Sequence, residues 1–288
     1  MKQNEYMMRI NQAINYIHEH IDKNLTVEDI AQRCCFSKYY FNRIFKSMVG
    51  ESIYSFVKRL KLENAAFKLR TSHRKTLTEI GFEIGYSPSN FATVFKEYFG
   101  MSPSDYRRYN NVPIKDSYKE IIEHIASFKK QEDFFQRVQS KITIKKLPEM
   151  ILEYQRFIGN YYDMSTAWES FCREMEKKYP LEENKIYCGI SYDDPLIADE
   201  NKCIYDMCVK VNKVTGINTH RIPATTYACY YYNDSIENLG KAYNEIFALW
   251  LPYSKYSIDN RPPIEIYLSP QDEENKMKID LSIPIIEG

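Results

Sequence analysis

The sequence predicts two parts of different fold class. The first is an all-α domain with a double helix-turn-helix; the second is a duplicated α+β domain with the order β-β-α-β-β in tandem. Three observations predict this. Residues 1–110 carry a repeat at an offset of 50, residues 141–288 carry another at an offset of 75, and formal charge changes sign between them. The first 110 residues hold 17 Lys+Arg and 11 Asp+Glu, a net of +6, and the remaining 178 hold 22 and 28, a net of −6. At about 150 residues per domain, a chain of 288 residues also suggests two domains.

Element by element, a helix over RINQAINYIHEHID leads the first part. Thr26 then precedes VEDIAQRC with Asp29 three residues on, a capping-box variant. Cys35-Phe36-Ser37 makes a turn, Ser37 caps the helix KYYFNRIFKSMV, and Gly50 ends it. The 20 residues SIYSFVKRLKLENAAFKLRT lack Gly and Pro and read as one long helix. At ~1.5 Å per residue it spans about 30 Å, close to the ~34 Å turn of B-DNA. The second copy runs LTEIGFEI, Gly85-Tyr86-Ser87-Pro88 and SNFATVFKEYF to Gly100, with Ser87 as cap and Pro88 in the first helical position. SPSDYRRYN trails as a last helix. The copies match at Ile30 and Ile80, Phe36 and Tyr86, Ser37 and Ser87, Phe41 and Phe91, Phe45-Lys46 and Phe95-Lys96, and Gly50 and Gly100. A tight turn between two such helices is the helix-turn-helix signature.

Residues 111–140 read as a charged helical connector. Beyond it the two α+β units are ITIKKL, MILEYQRF, TAWESFCREMEKKY, KIYCGISY, IYDMCVKV and INTHRI, TTYACYYY, ENLGKAYNEIFALWL, PIEIYL, MKIDLSI. Alternation with β-branched and aromatic residues supports the strands, and i, i+3, i+4 spacing supports the helices. The units match at Pro148 and Pro223, Ala167-Trp168 and Ala242-Tyr243, Tyr192 and Tyr267, and Pro195 and Pro270.

Composition bounds the function. With 44% hydrophobic and 27% charged residues the chain is ordinary globular material, neither disordered nor collagen-like. No apolar run of ~18 residues is present, and MKQNEYMMRINQ has no secretion-signal core, so a cytoplasmic protein without membrane contact is expected. The 7 cysteines include no CxxC and the 5 histidines are scattered, so no metal or other cofactor is expected. Cys203 and Cys208 read as buried strand thiols before they read as a redox pair.

A basic part invites a polyanion. On the first candidate reading helix Phe41, Ile44, Phe45 and Met48 form a packing stripe, while Tyr39, Asn42, Arg43 and Lys46 form a separate face. Arg43 suits guanine, Asn42 suits adenine, and the Tyr39 ring suits a thymine methyl. Lys38 and Lys46 suit phosphate, with Ser37 beside them at the helix start. Ser89, Asn90, Thr93 and Lys96 form the shorter, less charged face of the second helix, from which weaker base contact is expected.

SKYYFNRIFKSMVG and IGYSPSNFATVFKEYFGMSPSDYR make residues 1–110 resemble the DNA-binding domain of the AraC/XylS family of transcription regulators. The resemblance implies two helix-turn-helix units joined by a rigid helix, with recognition helices in adjacent major grooves of double-stranded promoter DNA. Tyr39, Asn42 and Arg43 would contact DNA from the first, and Ser89, Asn90 and Thr93 from the second. Three departures stand out. Cys35 replaces a frequent Gly, the second turn is one residue shorter than usual, and Thr93 stands where Arg is frequent.

The acidic part holds 16 of the 25 tyrosines and both tryptophans. On PIEIYL, Ile264, Ile266 and Leu268 face one way and Glu265 and Tyr267 the other. A carboxylate on an aromatic face suits a cation, although aromatic core with a solvated Glu265 is the plainer alternative. NLGKAYNEIFALWLPYSKYSIDNRPPIEIYL and TTYACYYY make residues 140–286 resemble the GyrI-like effector-binding domain. That resemblance implies a small, lipophilic, cationic ligand held between the repeats, with Glu265 as the pocket acid and Tyr267 as its partner. Ile190 takes the place of Glu265 in the first unit, so the acid occurs once. Tyr154, Trp168, Tyr192, Tyr230 and Trp250 are candidates for the pocket walls.

The expected function is a ligand-responsive transcription regulator that engages promoter DNA, a small-molecule effector and RNA polymerase. No heptad pattern suggests a coiled coil, so a monomer on asymmetric DNA is expected. The alternatives are a helix-turn-helix-fused hydrolase with Glu265 as general base, and an architectural DNA-binding protein without a ligand.

Overall fold

The structure is a computed structural model. It describes residues 2–72, 75–109, 119–180, 185–194, 196–214, 216, 218–259, 261–269, 272, 274 and 276–287. Pro195, Pro270 and connector residues 111–118 lie outside the described residues. The chain divides into two compact units, Met1–Val112 and Pro113–Gly288.

Unit one is helical, with α1 (Lys2–Glu19), α2 (Val27–Arg33), α3 (Lys38–Val49), α4 (Ile53–Thr71), α5 (Leu77–Glu83), α6 (Pro88–Phe99) and α7 (Pro103–Tyr109). Local chemistry sets the ends. The Thr26 hydroxyl accepts the Asp29 N–H at 3.1 Å, and the Asp29 carboxylate accepts the Thr26 N–H at 3.2 Å. Thr76 and Glu79 repeat this box at 3.1 and 2.7 Å. Ser87 caps α6 by accepting the Asn90 N–H at 3.4 Å. Ser37 occupies the same position on α3, but its hydroxyl makes no cap bond, which corrects its expected role. Gly50 (φ +87°) and Gly100 (φ +75°) end α3 and α6 in the left-handed region.

The two turns have equal length. At matching places Cys35 has φ +58° and Gly85 has φ +79°, so the first copy forces an L-residue into a conformation that the second gives to glycine. Packing also repeats. Phe45 meets Phe41 and Phe56 with ring centroids 6.1 and 5.2 Å apart, and Phe95 meets Phe91 and Tyr106 at 5.4 and 5.2 Å. All six rings are buried, so α3 and α6 are each held by an inner stripe. Helix α4 has 19 residues, about 28 Å of axis. Its Arg59 is paired with Glu51 at 2.9 Å and Glu63 at 3.0 Å, and Tyr98 donates to Glu63 at 3.1 Å.

Unit two contains α8 (Lys119–Phe128), α9 (Phe134–Gln139), β1 (Ile142–Leu147), β2 (Met150–Gly159), α10 (Met164–Lys178), β3 (Tyr187–Ser191), β4 (Cys203–Val211), β5 (Thr219–Ile222), β6 (Thr225–Ser235), α11 (Leu239–Asn244), a π-helix (Glu245–Trp250), β7 (Tyr256–Ile258), β8 (Ile264–Tyr267) and β9 (Lys276–Glu287). The strands run β1-β6-β9-β8-β3-β4-β2-β5, every pair antiparallel, and β7 also pairs with β9. The short strands β1 and β5 lie at the two ends of this order. β1 pairs with β6, and β5 pairs with β2.

One face of the sheet carries the helices. Phe171 and Met175 of α10 pack on Tyr205, Met207 and Val209 of β4. Ile246 and Trp250 of the π-helix pack on Ile279 and Leu281 of β9, together with Phe128 and Val138 from α8 and α9. The helices of the connector segment thus share the core of unit two. Leu152, Tyr154, Cys188, Cys208 and Tyr227 fill the other face. Cys188 and Cys208 face one another across β3 and β4, and burial pushes the Cys188 thiol up to about 12. Glu245, on the π-helix, accepts from Lys141 at 2.8 Å and Tyr230 at 2.7 Å and meets His124 Nε2 at 3.1 Å. Burial opposes its ionisation, but the bonds from Lys141 and Tyr230 hold the carboxyl below its ordinary range.

A left-handed L-residue costs about 1–2 kcal/mol, and glycine returns part of the gain as unfolded-chain entropy. Cys35→Gly is therefore expected to stabilise the chain by about 0.5–1 kcal/mol. Urea unfolding followed by far-UV circular dichroism measures this, and an unchanged or lowered midpoint would contradict the strain at Cys35.

Candidate functional site

Two surfaces carry chemistry, one in each unit. In unit one α3 turns Phe41 and Phe45 inward and leaves Lys38, Tyr39, Arg43 and Lys46 exposed. Tyr39 is 85% exposed, which no packing role explains. The Arg43 guanidinium lies 5.5 Å from the Tyr40 ring centre, while Lys38 is paired with Glu28 at the surface. Asn42 departs from expectation. It is half-buried, and its Oδ1 accepts the Ile53 N–H at 3.2 Å. On α6, Ser89, Asn90, Thr93 and Lys96 are exposed, but the Thr93 hydroxyl is turned back to the Ser89 carbonyl at 3.1 Å. Ser37 is exposed at the start of α3.

In unit two the central strand pair is β3–β8, where Glu265 faces Gly189 and Ile190 faces Ile264. Glu265 therefore points to the helix-bearing face, between the α10 and α11 sides. It is 3% exposed. Three phenols donate to it: Tyr205 at 2.5 Å, Tyr243 at 2.7 Å and Tyr267 at 3.0 Å. The Tyr205 and Tyr267 hydroxyls are 2.9 Å apart. The Trp168 ring meets Tyr267 edge-on at 5.2 Å, and Tyr161 meets Tyr205 at 6.0 Å. Burial and the neighbouring Glu265 push all three donor phenols well above their ordinary range. Among the described residues no Lys, Arg or His is ion-paired with Glu265, and no three His, Cys, Asp or Glu side chains converge as a metal site.

Comparison with known proteins matches one domain in each unit. A helix-turn-helix domain model matches residues 30–109, and a GyrI-like small molecule binding domain model matches residues 140–286, more than half of the chain. Regulatory protein SoxS of Escherichia coli (strain K12) is 34% identical over 99 residues, which are 34% of this chain and 92% of SoxS. The chain belongs to the AraC family. It is a DNA-binding transcription regulator of that family with a GyrI-like small-molecule-binding domain. Two solved structures are also similar. The DNA-binding domain of AdpA in complex with a target DNA is 23% identical, covers 35% of this chain and 92% of its own, and has a TM-score of 0.34. The EcmrR C-terminal domain is 19% identical, covers 51% of this chain and 98% of its own, and has a TM-score of 0.44.

The AraC-family chain gathers only part of the expected pocket. Glu265, Tyr267 and Trp168 come together. Tyr230 and Trp250 do not join them. Tyr230 bonds Glu245, and Trp250 is wholly buried with its Nε1–H on Gln139 at 2.6 Å. Tyr205, Tyr243 and Gly189 complete the site instead. A Cβ at position 189 would lie 1.6 Å from the Tyr205 hydroxyl oxygen. Tyr243 had a signal in its alignment with Trp168. Tyr205 had none, since its strand reads as core.

Tyr154 and Tyr192 belong to a second buried cluster on the opposite face. Asp206 there takes two bonds from Arg156, both at 2.7 Å, one from His220 at 2.7 Å and one from Tyr192 at 3.0 Å. The Tyr154 and His220 rings stack at 4.1 Å. Burial opposes ionisation of Asp206, but Arg156 and His220 overcome it and hold the carboxyl far below the usual range.

A folded-state pKa below the unfolded one gives stability that is full above the unfolded value and is lost progressively as pH falls from there through the folded-state value. The Asp206 contribution is therefore full above about pH 4–5 and declines towards pH 2. Asp206→Asn removes the carboxylate that Arg156, His220 and Tyr192 all bond and is expected to cost about 3 kcal/mol at pH 7, with a flatter acid decline. Both tryptophans lie in unit two, so their fluorescence during urea unfolding at several pH values reads this unit. A decline in the variant as steep as in the parent would contradict the assignment.

Proposed function

We propose that this AraC-family regulator reads promoter DNA with α3 and α6 in adjacent major grooves, and that a small lipophilic cation bound at Glu265 modulates it. The outward face of α3 supports the first half. Tyr39, Arg43 and Lys46 stand exposed on a helix whose other face is locked by buried rings. The length of α4, about 28 Å, suits two successive grooves. Arg43 takes the base-reading role, and Lys38 and Lys46 take phosphate. Ser89, Asn90, Thr93 and Lys96 give α6 the weaker, positioning contact.

The observation that carries the ligand half is a buried carboxylate whose described partners are neutral hydroxyls. An incoming cation supplies the missing charge, and the Trp168, Tyr205 and Tyr267 rings supply cation–π surface. Unit two runs β-β-α-β-β and then β-β-α-β-β-β, β7 being the added strand, with β1 pairing β6 and β5 pairing β2 across the halves, which supports reading it as a duplication with the site at its centre. We take residues 1–110 as the DNA-binding part, 141–288 as the ligand-sensing part, and 111–140 as the join. Among the described residues no helix is long and apolar enough to cross a membrane, and we read the regulator as a cytoplasmic monomer acting through RNA polymerase. We read Glu265 as a binding group rather than a general base, because its described partners are phenols with depressed acidity, not a second acid or a histidine.

Two experiments test this. On a duplex selected from a random pool by the full chain, Arg43→Ala is expected to cost about 1–3 kcal/mol and to relax preference at one base pair. Lys46→Ala should weaken all duplexes alike and lower the salt slope by about one. An equal loss from Arg43→Ala on every duplex would make Arg43 a phosphate contact.

For the ligand, tetraphenylphosphonium is expected to raise the melting temperature of the parent but not of Glu265→Gln, and to be recovered unchanged. A shift that survives Glu265→Gln, or an equal shift with tetraphenylborate, would refute a cation site. Turnover of a neutral analogue lost in Glu265→Gln would instead favour the hydrolase.

A further inference from the structure

Asn42 lies on the outward side of α3, between Tyr39 and Arg43, yet its amide oxygen is committed elsewhere. Ile53 is the first residue of α4, and its N–H has no carbonyl four residues back within the helix. That N–H donates to Asn42 Oδ1 at 3.2 Å, while the Ser52 hydroxyl takes the Ser55 N–H at 3.1 Å. Two donors of the first turn are thus satisfied from two directions. Ile53 is fully buried, so the Asn42 bond ties α3 to α4 beside the packed core.

The second copy gives an independent observation. At the offset of 50, Asn42 corresponds to Ala92 and Ile53 to Pro103. Pro103 is buried at the first position of α7 and has no N–H to satisfy. Its neighbour Ser102 accepts the Asp105 N–H at 3.1 Å, as Ser52 accepts that of Ser55. The acceptor at one site and the donor at the other are therefore present together in the first copy and absent together in the second. A base-reading Asn42 has no reason to track the residue at position 53.

We propose that Asn42 is a positioning residue. Its amide oxygen caps α4 and fixes the angle at which α3 meets DNA, and base discrimination on α3 falls to Arg43 and Tyr39. Bidentate recognition of adenine needs both the amide oxygen and the amide nitrogen. With Oδ1 held by Ile53, only the nitrogen is left to face the groove. This rests on the reading of α3 as a DNA-reading helix.

The test uses the full chain and a duplex selected by it from a random pool, together with a panel in which each base pair is changed in turn. Asn42→Ala is expected to lower the melting temperature by about 4 °C and to weaken binding about fivefold, equally across the panel. Combining Asn42→Ala with Ile53→Pro imports the second copy's solution. Ser52, with φ −68° and ψ 154°, already has the backbone that a residue before proline adopts. The pair is expected to regain both the melting temperature and affinity to within twofold of the parent. Asn42→Asp, which keeps the acceptor, should regain the melting temperature alone if the added negative charge repels phosphate. Regain of stability by neither variant overturns the cap. A double variant that is stable, still weak on the selected duplex and indifferent to one base pair shows that Asn42 reads that base, and overturns the proposal. Arg43→Ala is measured in parallel. If it too weakens the whole panel equally, the reading role of α3 fails, while the cap is still judged by the melting-temperature rescue.

Discussion

Glu265 and Gly189 face one another on the two middle strands of the sheet, and the missing side chain at 189 governs what surrounds the carboxylate. Tyr205 sits on the next strand, β4, and its hydroxyl crosses over Gly189 to reach Glu265. Burying a carboxylate without partners costs several kcal/mol. Three hydrogen bonds to a charged group, at about 1.5–3 kcal/mol each, are of the size needed to hold it there. The donors come from β4, β8 and α11, so the site ties both sides of the sheet to one of its covering helices. Any residue with a Cβ at 189 would displace Tyr205 and leave the carboxylate with two donors.

In unit one the equivalent constraint is the ring packing under α3 and under α6. Phe41, Phe45 and Phe56 recur as Phe91, Phe95 and Tyr106, all buried. Because the inner faces are the same, the two helices present their outer faces in the same way, and any difference in recognition lies in the exposed residues. Tyr39 and Arg43 correspond to Ser89 and Thr93. Tyr39 and Arg43 carry a ring and a guanidinium on long side chains, whereas Ser89 is short and the Thr93 hydroxyl is bonded to its own helix.

Much of this was legible in the sequence because it is local or periodic. The capping box at Thr26, the caps and terminal glycines of the later helices and the offset of 50 set the helices, and the alternation along PIEIYL puts Glu265 and Tyr267 on one face. What was not legible depends on strand register. The offset of 75 aligns Glu265 with Ile190, but pairing sets it opposite Gly189. Asp206, Arg156 and His220 lie on three different strands, and no spacing rule brings them together. Trp250 and Tyr230 were misplaced because aromatic content alone does not separate a pocket wall from the floor beneath a helix. The bond from the Ile53 N–H to Asn42 was not legible for a similar reason. Helical periodicity gives the face of a side chain but not the backbone N–H that waits for it.

The two helix-turn-helix copies differ where the backbone makes a demand. The left-handed turn position is Cys35 in one and Gly85 in the other, and the first residue of the following helix is Ile53 in one and Pro103 in the other. The second copy meets both demands with residues suited to the backbone itself. The first meets one with strain and the other with the Asn42 side chain, which removes a hydrogen-bonding group from the outer face of α3. Under the proposed DNA-reading role of α3, Arg43 then becomes its principal polar reader. Its guanidinium lies 5.5 Å from the Tyr40 ring centre, a contact worth about 0.5–1 kcal/mol at an exposed site. A side chain already held in place loses less freedom on binding, which suits the reading role proposed for Arg43.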